Sequence, residues 1–167
     1  MSTPLIIKPF RQTNKDYCGP ASLKMLLSYY GKRVTEARLA TLSQATRRFG
    51  TLHAGMIRAV QLLGGTVMSG PHGTIHELRH WVQEKRLPVL VGWYDVDYDH
   101  YSVVYHLTAR DIFLRDPAED SGQTVMPIRR FMPIWYDYTG TTRLWKVQRW
   151  YLVITGIGAP ARRTTRG

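Results

Sequence analysis

The chain has 167 residues, 44% of them hydrophobic and five of them tryptophan, which is the length and composition of one globular domain and excludes a largely disordered protein. No apolar run approaches the roughly 20 residues of a membrane-spanning helix, and the N-terminal run, broken by Lys8 and Pro9, does not make a signal peptide. The formal charge of +11 would attract anionic partners, nucleic acid included, but no nucleic-acid-binding motif accompanies it, so we interpret it as a solvated basic surface.

Helical patterns dominate the first half of the chain. After Cys18, apolar residues recur every three or four positions up to Gly31, at Leu23, Leu26, Leu27 and Tyr30. This spacing predicts a helix that begins at or near Cys18. A second helix is predicted after Thr35, a third from about Ala54 to Leu63, and a fourth behind the capping box formed by Thr74 and Glu77. The Leu63-Gly64-Gly65 stretch is interpreted as the end of the third helix.

The second half is rich in β-branched and aromatic runs, namely P-V-L-V-G-W-Y, H-Y-S-V-V-Y-H-L, D-I-F-L-R and W-Y-L-V-I-T. The polar T-A-R-D between the second and third runs predicts a tight hairpin, and I-R-R-F-M-P-I-W predicts a short helical turn around Pro133. Helices followed by strands predict one α+β domain over residues 1–158, with an N-terminal helical part packed on a C-terminal antiparallel sheet. Residues 159–167 are predicted to be a basic, flexible tail.

Cys18 is the only cysteine. It cannot form an internal disulfide, which favours the cytoplasm. A thiol must become a thiolate to attack a carbonyl, and the unpaired N–H groups of a helix start favour that anion. A free cysteine is more often a small buried hydrophobic residue, so its surroundings must decide between the two interpretations.

A nucleophilic cysteine needs a base, and the base needs a third group that orients it. His100 lies at the start of one predicted strand and Asp116 at the end of the next, so a hairpin between them would place the two side by side. Surface or core roles suffice for the other histidines, which are His53, His72, His76, His80 and His106.

No metal or other cofactor is expected. No pair of histidines is spaced with a cysteine or a carboxylate as in a zinc site. The run from Asp95 to Asp99 imitates the start of a calcium-binding loop, but His100 stands where that loop needs glycine and His106 where it needs glutamate.

The chain resembles the bacteriocin-processing peptidases that cut after double-glycine leaders. The resemblance is carried by Gln12, by C-G-P-A-S-L from Cys18, by Y-Y-G from Tyr29, by D-H-Y-S-V-V from Asp99, and by Asp116-Pro117. It covers the chain from about Gln12 to about Trp135. It implies a stand-alone, papain-like cysteine peptidase whose active site lies in a cleft between the helical part and the sheet.

By that resemblance, Cys18 is the nucleophile, His100 the general base and acid, Asp116 the group that orients the imidazole, and Gln12 a donor to the oxyanion. An amide can donate to a tetrahedral oxygen without titrating, and the backbone N–H of Cys18 can add a second donor. The implied substrate is a peptide or protein cut after Gly-Gly or Gly-Ala. Members attached to transporters usually carry a second cysteine where this chain has Ser22.

Two alternatives stay open at this point. A papain-like site can pass its acyl group to an amine or a thiol instead of water, which would make the chain a peptidyltransferase or acyltransferase. The same scaffold could also be a non-catalytic module that binds peptides or nucleic acid, as the positive charge would favour. The complete set of Gln12, Cys18, His100 and Asp116 argues against the second alternative.

Overall fold

The computed structural model of the protein describes residues 2–140 and 145–158. The helices are α1 (Cys18–Tyr29), α2 (Glu36–Leu42), α3 (His53–Leu62), α4 (Ile75–Arg79), which continues into a π-helical turn (His80–Glu84), and α5 (Ile128–Ile134). The strands are β1 (Gly65–Gly70), β2 (Val89–Asp95), β3 (Tyr98–Leu107), β4 (Asp111–Arg115), β5 (Gln123–Pro127), β6 (Tyr136–Thr139), β7 (Trp145–Gln148) and β8 (Tyr151–Ile157).

Six of the strands form one antiparallel sheet in the order β1-β8-β2-β3-β4-β5, and β6 and β7 pair as a separate hairpin. The predicted α+β architecture is therefore confirmed. The sequence analysis missed β1, which lies among the helices, as well as β5 and the β6–β7 hairpin. These strands are short, at four to six residues each, and carry little of the alternation that identifies a half-buried strand.

The predicted element boundaries agree closely with the structure. The capping box at Thr74 and Glu77 is present at the start of α4. The backbone of Gly64 has a φ of 84°, which favours glycine, and α3 ends just before it, so the Leu63-Gly64-Gly65 stretch does end a helix. The predicted tail, 159–167, lies outside the described residues.

Helix α1 joins the helical part to the sheet by packing against β3 and α2. Its apolar face is fully buried, and the Ser22 hydroxyl donates a hydrogen bond of 2.9 Å to the backbone carbonyl of Tyr101 in β3. Ser22 lies one turn after Cys18, and Tyr101 follows His100 directly. This contact therefore ties the helix that carries the cysteine to the strand that carries the histidine.

Candidate active site

A cleft of about 720 Å³ opens at the start of α1, between the N-terminal segment and the β2–β3 turn. Four parts of the chain line it: the N-terminal segment with the start of α1 (Arg11, Gln12, Thr13, Asn14, Lys15, Asp16 and Cys18), Gly50, the start of β3 (Tyr98 and Asp99), and Ala118 after β4. Two of the four predicted site residues, Gln12 and Cys18, thus line one cleft.

Cys18 is the first residue of α1 and is 8% exposed. No side chain caps this helix start, and the first turn carries no acidic residue. The N–H groups of a helix start have no partner inside the helix, and they carry the positive end of the helix dipole. The start of α1, where Cys18 lines the cleft, is therefore suited to negative charge.

The α1 start is held close to a neighbouring loop because residue 19 has no side chain. A Cβ atom on Gly19 would lie 2.6 Å from the Thr51 hydroxyl oxygen, closer than packed atoms come. Thr51 in turn accepts a hydrogen bond of 3.0 Å at its carbonyl from the Tyr101 hydroxyl. These contacts hold the start of α1, where Cys18 lies, against the segment that carries Thr51.

The β3–β4 hairpin brings His100 and Asp116 together, as the sequence predicted. The hairpin turns at Thr108, whose N–H donates to the Asp111 carbonyl, and the two strands run antiparallel from there. At the open end of the hairpin, His100 Nε2 lies 2.6 Å from Asp116 Oδ1, and both side chains are buried. Asp116 follows the last residue of β4 directly.

Asp116 has two further partners. The Thr124 hydroxyl donates to its Oδ2 at 2.7 Å, and the Ala118 N–H donates to its Oδ1 at 3.0 Å. The burial of this carboxyl raises its pKa, but the hydrogen bond and charge of His100, together with these donors, lower the pKa below its usual value. Asp116 is therefore held as a carboxylate.

Burial alone would lower the pKa of His100. The hydrogen bonds and negative charges of Asp116 and Cys18 outweigh this effect of burial and raise the pKa of His100 to about 10. Nδ1 of the ring is buried and forms no well-aligned hydrogen bond to any described residue. Because Nε2 is taken by Asp116, Nδ1 is the nitrogen left to exchange a proton with the Cys18 sulfur.

Gln12 lies in the same cleft and is fixed at both its backbone and its side chain. Its backbone N–H donates to the carbonyl of Pro117, the residue after Asp116, at 2.9 Å. Its amide nitrogen donates to the Asn14 carbonyl at 2.9 Å. An amide nitrogen carries two hydrogens, so one remains for a further acceptor.

Two aromatic rings that the sequence analysis did not single out contact His100. Trp93 is buried and stands edge-on to the imidazole at 5.3 Å between ring centroids. Tyr98 also stands edge-on, at 5.8 Å, but is 46% exposed and lines the cleft. Tyr98 could have been found from the sequence, because it lies two positions before His100 and so on the same face of the strand.

A second buried histidine–aspartate pair was also missed. His53 Nε2 lies 2.5 Å from Asp137 Oδ2, and the His53 ring is stacked on Trp150 at 4.0 Å between centroids. Neither residue lines the cleft. No local sequence pattern predicts this pair, because its members are 84 positions apart.

Over 2–140 and 145–158, no group of three or more histidine, cysteine or acidic side chains is arranged to hold a metal ion. Within the part of the chain that the structure describes, no helix is both long enough and apolar enough to cross a bilayer.

Comparison with known protein families identifies the fold and the class. The family model described as the Peptidase C39 family matches residues 7–143, most of the chain. The chain belongs to the C39 family of cysteine peptidases. The predicted resemblance to bacteriocin-processing peptidases is thereby confirmed.

Curated relatives of this C39 chain are transport proteins. The chain is 32% identical over 129 residues to the lactococcin-G-processing and transport ATP-binding protein LagD of Lactococcus lactis subsp. lactis, and 29% identical over 125 residues to the pediocin PA-1 transport/processing ATP-binding protein PedD of Pediococcus acidilactici. These matches cover 75% and 74% of the chain but 17% of each relative. The chain thus corresponds to a small part of those proteins.

Solved structures match the C39 chain over nearly its whole length. The peptidase domain of Streptococcus ComA aligns with a TM-score of 0.70 and 21% identity, covering 89% of this chain and 98% of that one. A double glycine motif protease from an AMS/PCAT transporter, in complex with the leader peptide, aligns with a TM-score of 0.69 and 19% identity, covering 91% and 94%. The papain-like fold that the resemblance implied is therefore confirmed.

Proposed function

We propose that the chain hydrolyses a peptide bond by thiol acyl transfer, with Cys18 as nucleophile, His100 as acid and base, Asp116 as the orienting carboxylate and Gln12 as an oxyanion donor. One observation carries the proposal. His100 is hydrogen-bonded to Asp116 and interacts with Cys18 at an uncapped helix start inside a cleft. C39 membership supports the same chemistry.

The first half of the reaction forms an acyl-enzyme. With His100 protonated, Cys18 acts as a thiolate and its sulfur attacks the carbonyl carbon of the scissile bond. The negative charge moves to the carbonyl oxygen, where the free amide hydrogen of Gln12 and the backbone N–H of Cys18 can donate to it. His100 then gives its proton to the leaving nitrogen as the carbon–nitrogen bond breaks.

The second half regenerates the enzyme. His100, now neutral, takes a proton from a water molecule while the water oxygen attacks the thioester carbon. The carbon–sulfur bond breaks and the sulfur leaves as thiolate, so the imidazolium–thiolate pair is restored. Asp116 holds the ring throughout, because its bond to Nε2 leaves only Nδ1 facing Cys18.

We propose that the substrate is a peptide or protein with Gly-Gly or Gly-Ala before the scissile bond. The supporting relatives are named as proteins that process and transport lactococcin G and pediocin PA-1, and one solved neighbour is a double glycine motif protease in complex with the leader peptide. We also propose a cytoplasmic location, since a reducing compartment keeps a lone catalytic thiol free. Residues 1–158 would form the whole catalytic domain, so a chain that lacks 159–167 should keep its activity.

The direct test is cleavage of synthetic peptides that contain an apolar helical leader followed by Gly-Gly, with mass spectrometry of the products and a Cys18→Ser variant as blank. We expect cleavage after the second glycine by the unaltered chain alone. Repeating the reaction with added hydroxylamine or glycinamide separates hydrolysis from transfer. Amide or hydroxamate products at low amine concentration would favour a transferase. If Cys18 reacted with an electrophile but the chain cleaved none of the peptides, the peptidase proposal would be overturned.

A further inference from the structure

The tip of the β2–β3 hairpin lies over the candidate active site. The hairpin turns through Val96 and Asp97 and re-enters the sheet at Tyr98, which pairs with Asp95 across the turn. Tyr98 lines the same cleft as Cys18 and Gln12. Its ring contacts His100 edge-on from a position that is partly open to solvent. The space next to the nucleophile and its base is therefore bounded on one side by an aromatic ring.

The electrostatic surroundings of Tyr98 also indicate that it lies close to the candidate active site. Burial and the charge and hydrogen bond of Asp95 raise the pKa of its phenol to about 12, and the charges of Asp116 and Cys18 contribute to the rise. The phenol thus stays neutral at physiological pH. Asp116 and Cys18 therefore both lie within electrostatic reach of this ring.

The Tyr98 ring is held in place. Its hydroxyl donates to Asp95 Oδ2 at 3.3 Å, across the turn. Between them, Val96 has a φ of 41°, in the left-handed region that a β-branched residue rarely adopts, and its side chain is exposed. Such a conformation costs on the order of 1–3 kcal/mol and persists only where the surrounding structure imposes it. The conformation of this turn therefore lowers the stability of the protein slightly. It also positions Tyr98 at the cleft.

We propose that Tyr98 determines specificity: its ring occupies the volume beside Cys18 and His100 that a side chain on a residue just before the scissile bond would need. Glycine fits under the ring, alanine fits with a small adjustment, and larger side chains collide with it. This inference rests on the proposed peptidase function and names the residue that would impose its preference for small residues. Excluding one or two methylene groups from a tight pocket is worth roughly 10–200-fold in kcat/KM.

Cys18 itself provides a test that needs no peptide substrate. It is the only cysteine, so maleimide adducts counted by intact-protein mass spectrometry report on this thiol alone. N-methylmaleimide and N-cyclohexylmaleimide share their chemistry and differ in bulk. In Tyr98→Ala we expect the rate ratio of the bulky to the small reagent to rise at least about tenfold, and in Tyr98→Phe, which keeps the ring, to stay near that of the unaltered chain.

Tyr94→Ala is the matched control, because Tyr94 lies in the same hairpin but packs on Tyr136 and Tyr138 and does not line the cleft. Its reagent ratio should not change. Circular dichroism and thermal melting of all three variants would establish that they are folded. An unchanged ratio in a folded Tyr98→Ala would overturn the proposal.

Peptide selectivity supplies the second measurement. With peptides that vary each of the two positions before the scissile bond through Gly, Ala and Leu, Tyr98→Ala should lower the kcat/KM preference for Gly over Leu at one of them by tenfold or more. If kcat/KM fell equally for all peptides, Tyr98 would only position His100, and the specificity role would be wrong. If no variant cut any peptide, the proposed function would fail, while the maleimide ratio would still decide whether Tyr98 limits access to Cys18.

Discussion

Two buried histidine–aspartate pairs among the described residues look alike in isolation. His100 and Asp116 are joined at 2.6 Å, and His53 and Asp137 at 2.5 Å. Only the first pair has a cysteine beside it, at a helix start that lines a cleft. The second pair has an indole stacked on its imidazole. We infer that a histidine–aspartate contact alone does not predict a catalytic site, and that the group on the other side of the imidazole ring must also be considered.

The two carboxylates also differ in how many donors they have. Asp116 accepts hydrogen bonds from Thr124 and Ala118 as well as from its histidine. Asp137 depends on His53, because its other oxygen is buried without a partner among the described residues. Gly92 leaves the room for Asp137, since a Cβ there would lie 2.3 Å from its Oδ2. Asp116 therefore keeps two hydrogen-bond donors when its histidine is removed, whereas the side chain of Asp137 keeps none among the described residues.

The largest expected difference between the pairs is in activity. We expect His100→Ala to lower kcat for a cleavable peptide by about 10⁴-fold, because it removes the group that would carry the proton in both half-reactions of the proposed mechanism. We expect His53→Ala to leave kcat per folded molecule unchanged. Circular dichroism and thermal melting would establish the folded fraction of each variant. Comparable losses in both variants would refute the separation of roles.

Gln12, the proposed oxyanion donor, lines the cleft of the first pair, and its removal should have the next largest effect. Gln12→Ala should lower kcat by roughly 10²–10³-fold with little change in KM, because the lost hydrogen bond forms mainly in the transition state. Gln12→Glu, whose carboxylate cannot donate, should be equally impaired. Asn14→Ala is a suitable control, because Asn14 binds the Gln12 amide through its backbone carbonyl, which the substitution keeps. A Gln12→Ala chain with unaltered kcat would show that the residue is only part of a loop.

The first pair could be predicted from the sequence, and the second could not. Local patterns in the sequence predict the positions of the residues of the first pair and of Cys18. The helical periodicity after Cys18 predicts that it begins a helix, and two adjacent strand patterns predict that His100 and Asp116 lie side by side. The second pair joins the start of α3 to β6, a strand of four residues that no periodicity announced. Its contact depends on how β6 packs against β2 and on the absent side chain of Gly92. Such contacts are decided by tertiary packing.

For stability we expect the opposite order: replacing the histidine of the second pair should destabilise the protein more than replacing the histidine of the first. His53→Ala should lower the free energy of unfolding by about 3 kcal/mol, because it leaves Asp137 buried without a donor and removes the ring stacked on Trp150. His100→Ala should cost less, since Asp116 keeps two donors. Chemical denaturation of both variants at one pH measures the two values. Equal losses would mean that the extra donors of Asp116 contribute nothing to stability.

The first pair should also make the stability of the protein depend on pH. The pKa of His100 is about 10 in the folded chain and about 6.5 in a free histidine, so the folded state binds its proton more tightly. The resulting stabilisation is complete below pH 6.5 and is lost as the pH rises from there to about 10. The pKa of Asp116 is lowered on folding, so its contribution is present above the ordinary value of 3.8 and is lost as the pH falls through the folded value.

These signs predict that the contribution of the His100–Asp116 pair to stability is greatest between about pH 4 and pH 6.5. Denaturation midpoints measured at pH 5, 6.5, 8 and 9.5 should fall steadily above pH 6.5 in the unaltered chain. In His100→Gln, which has no proton to lose, that decline should be reduced, and in His53→Gln it should persist, because His100 and its partners are intact. Persistence of the full decline in His100→Gln would assign the alkaline loss to other groups and would contradict the raised pKa of His100.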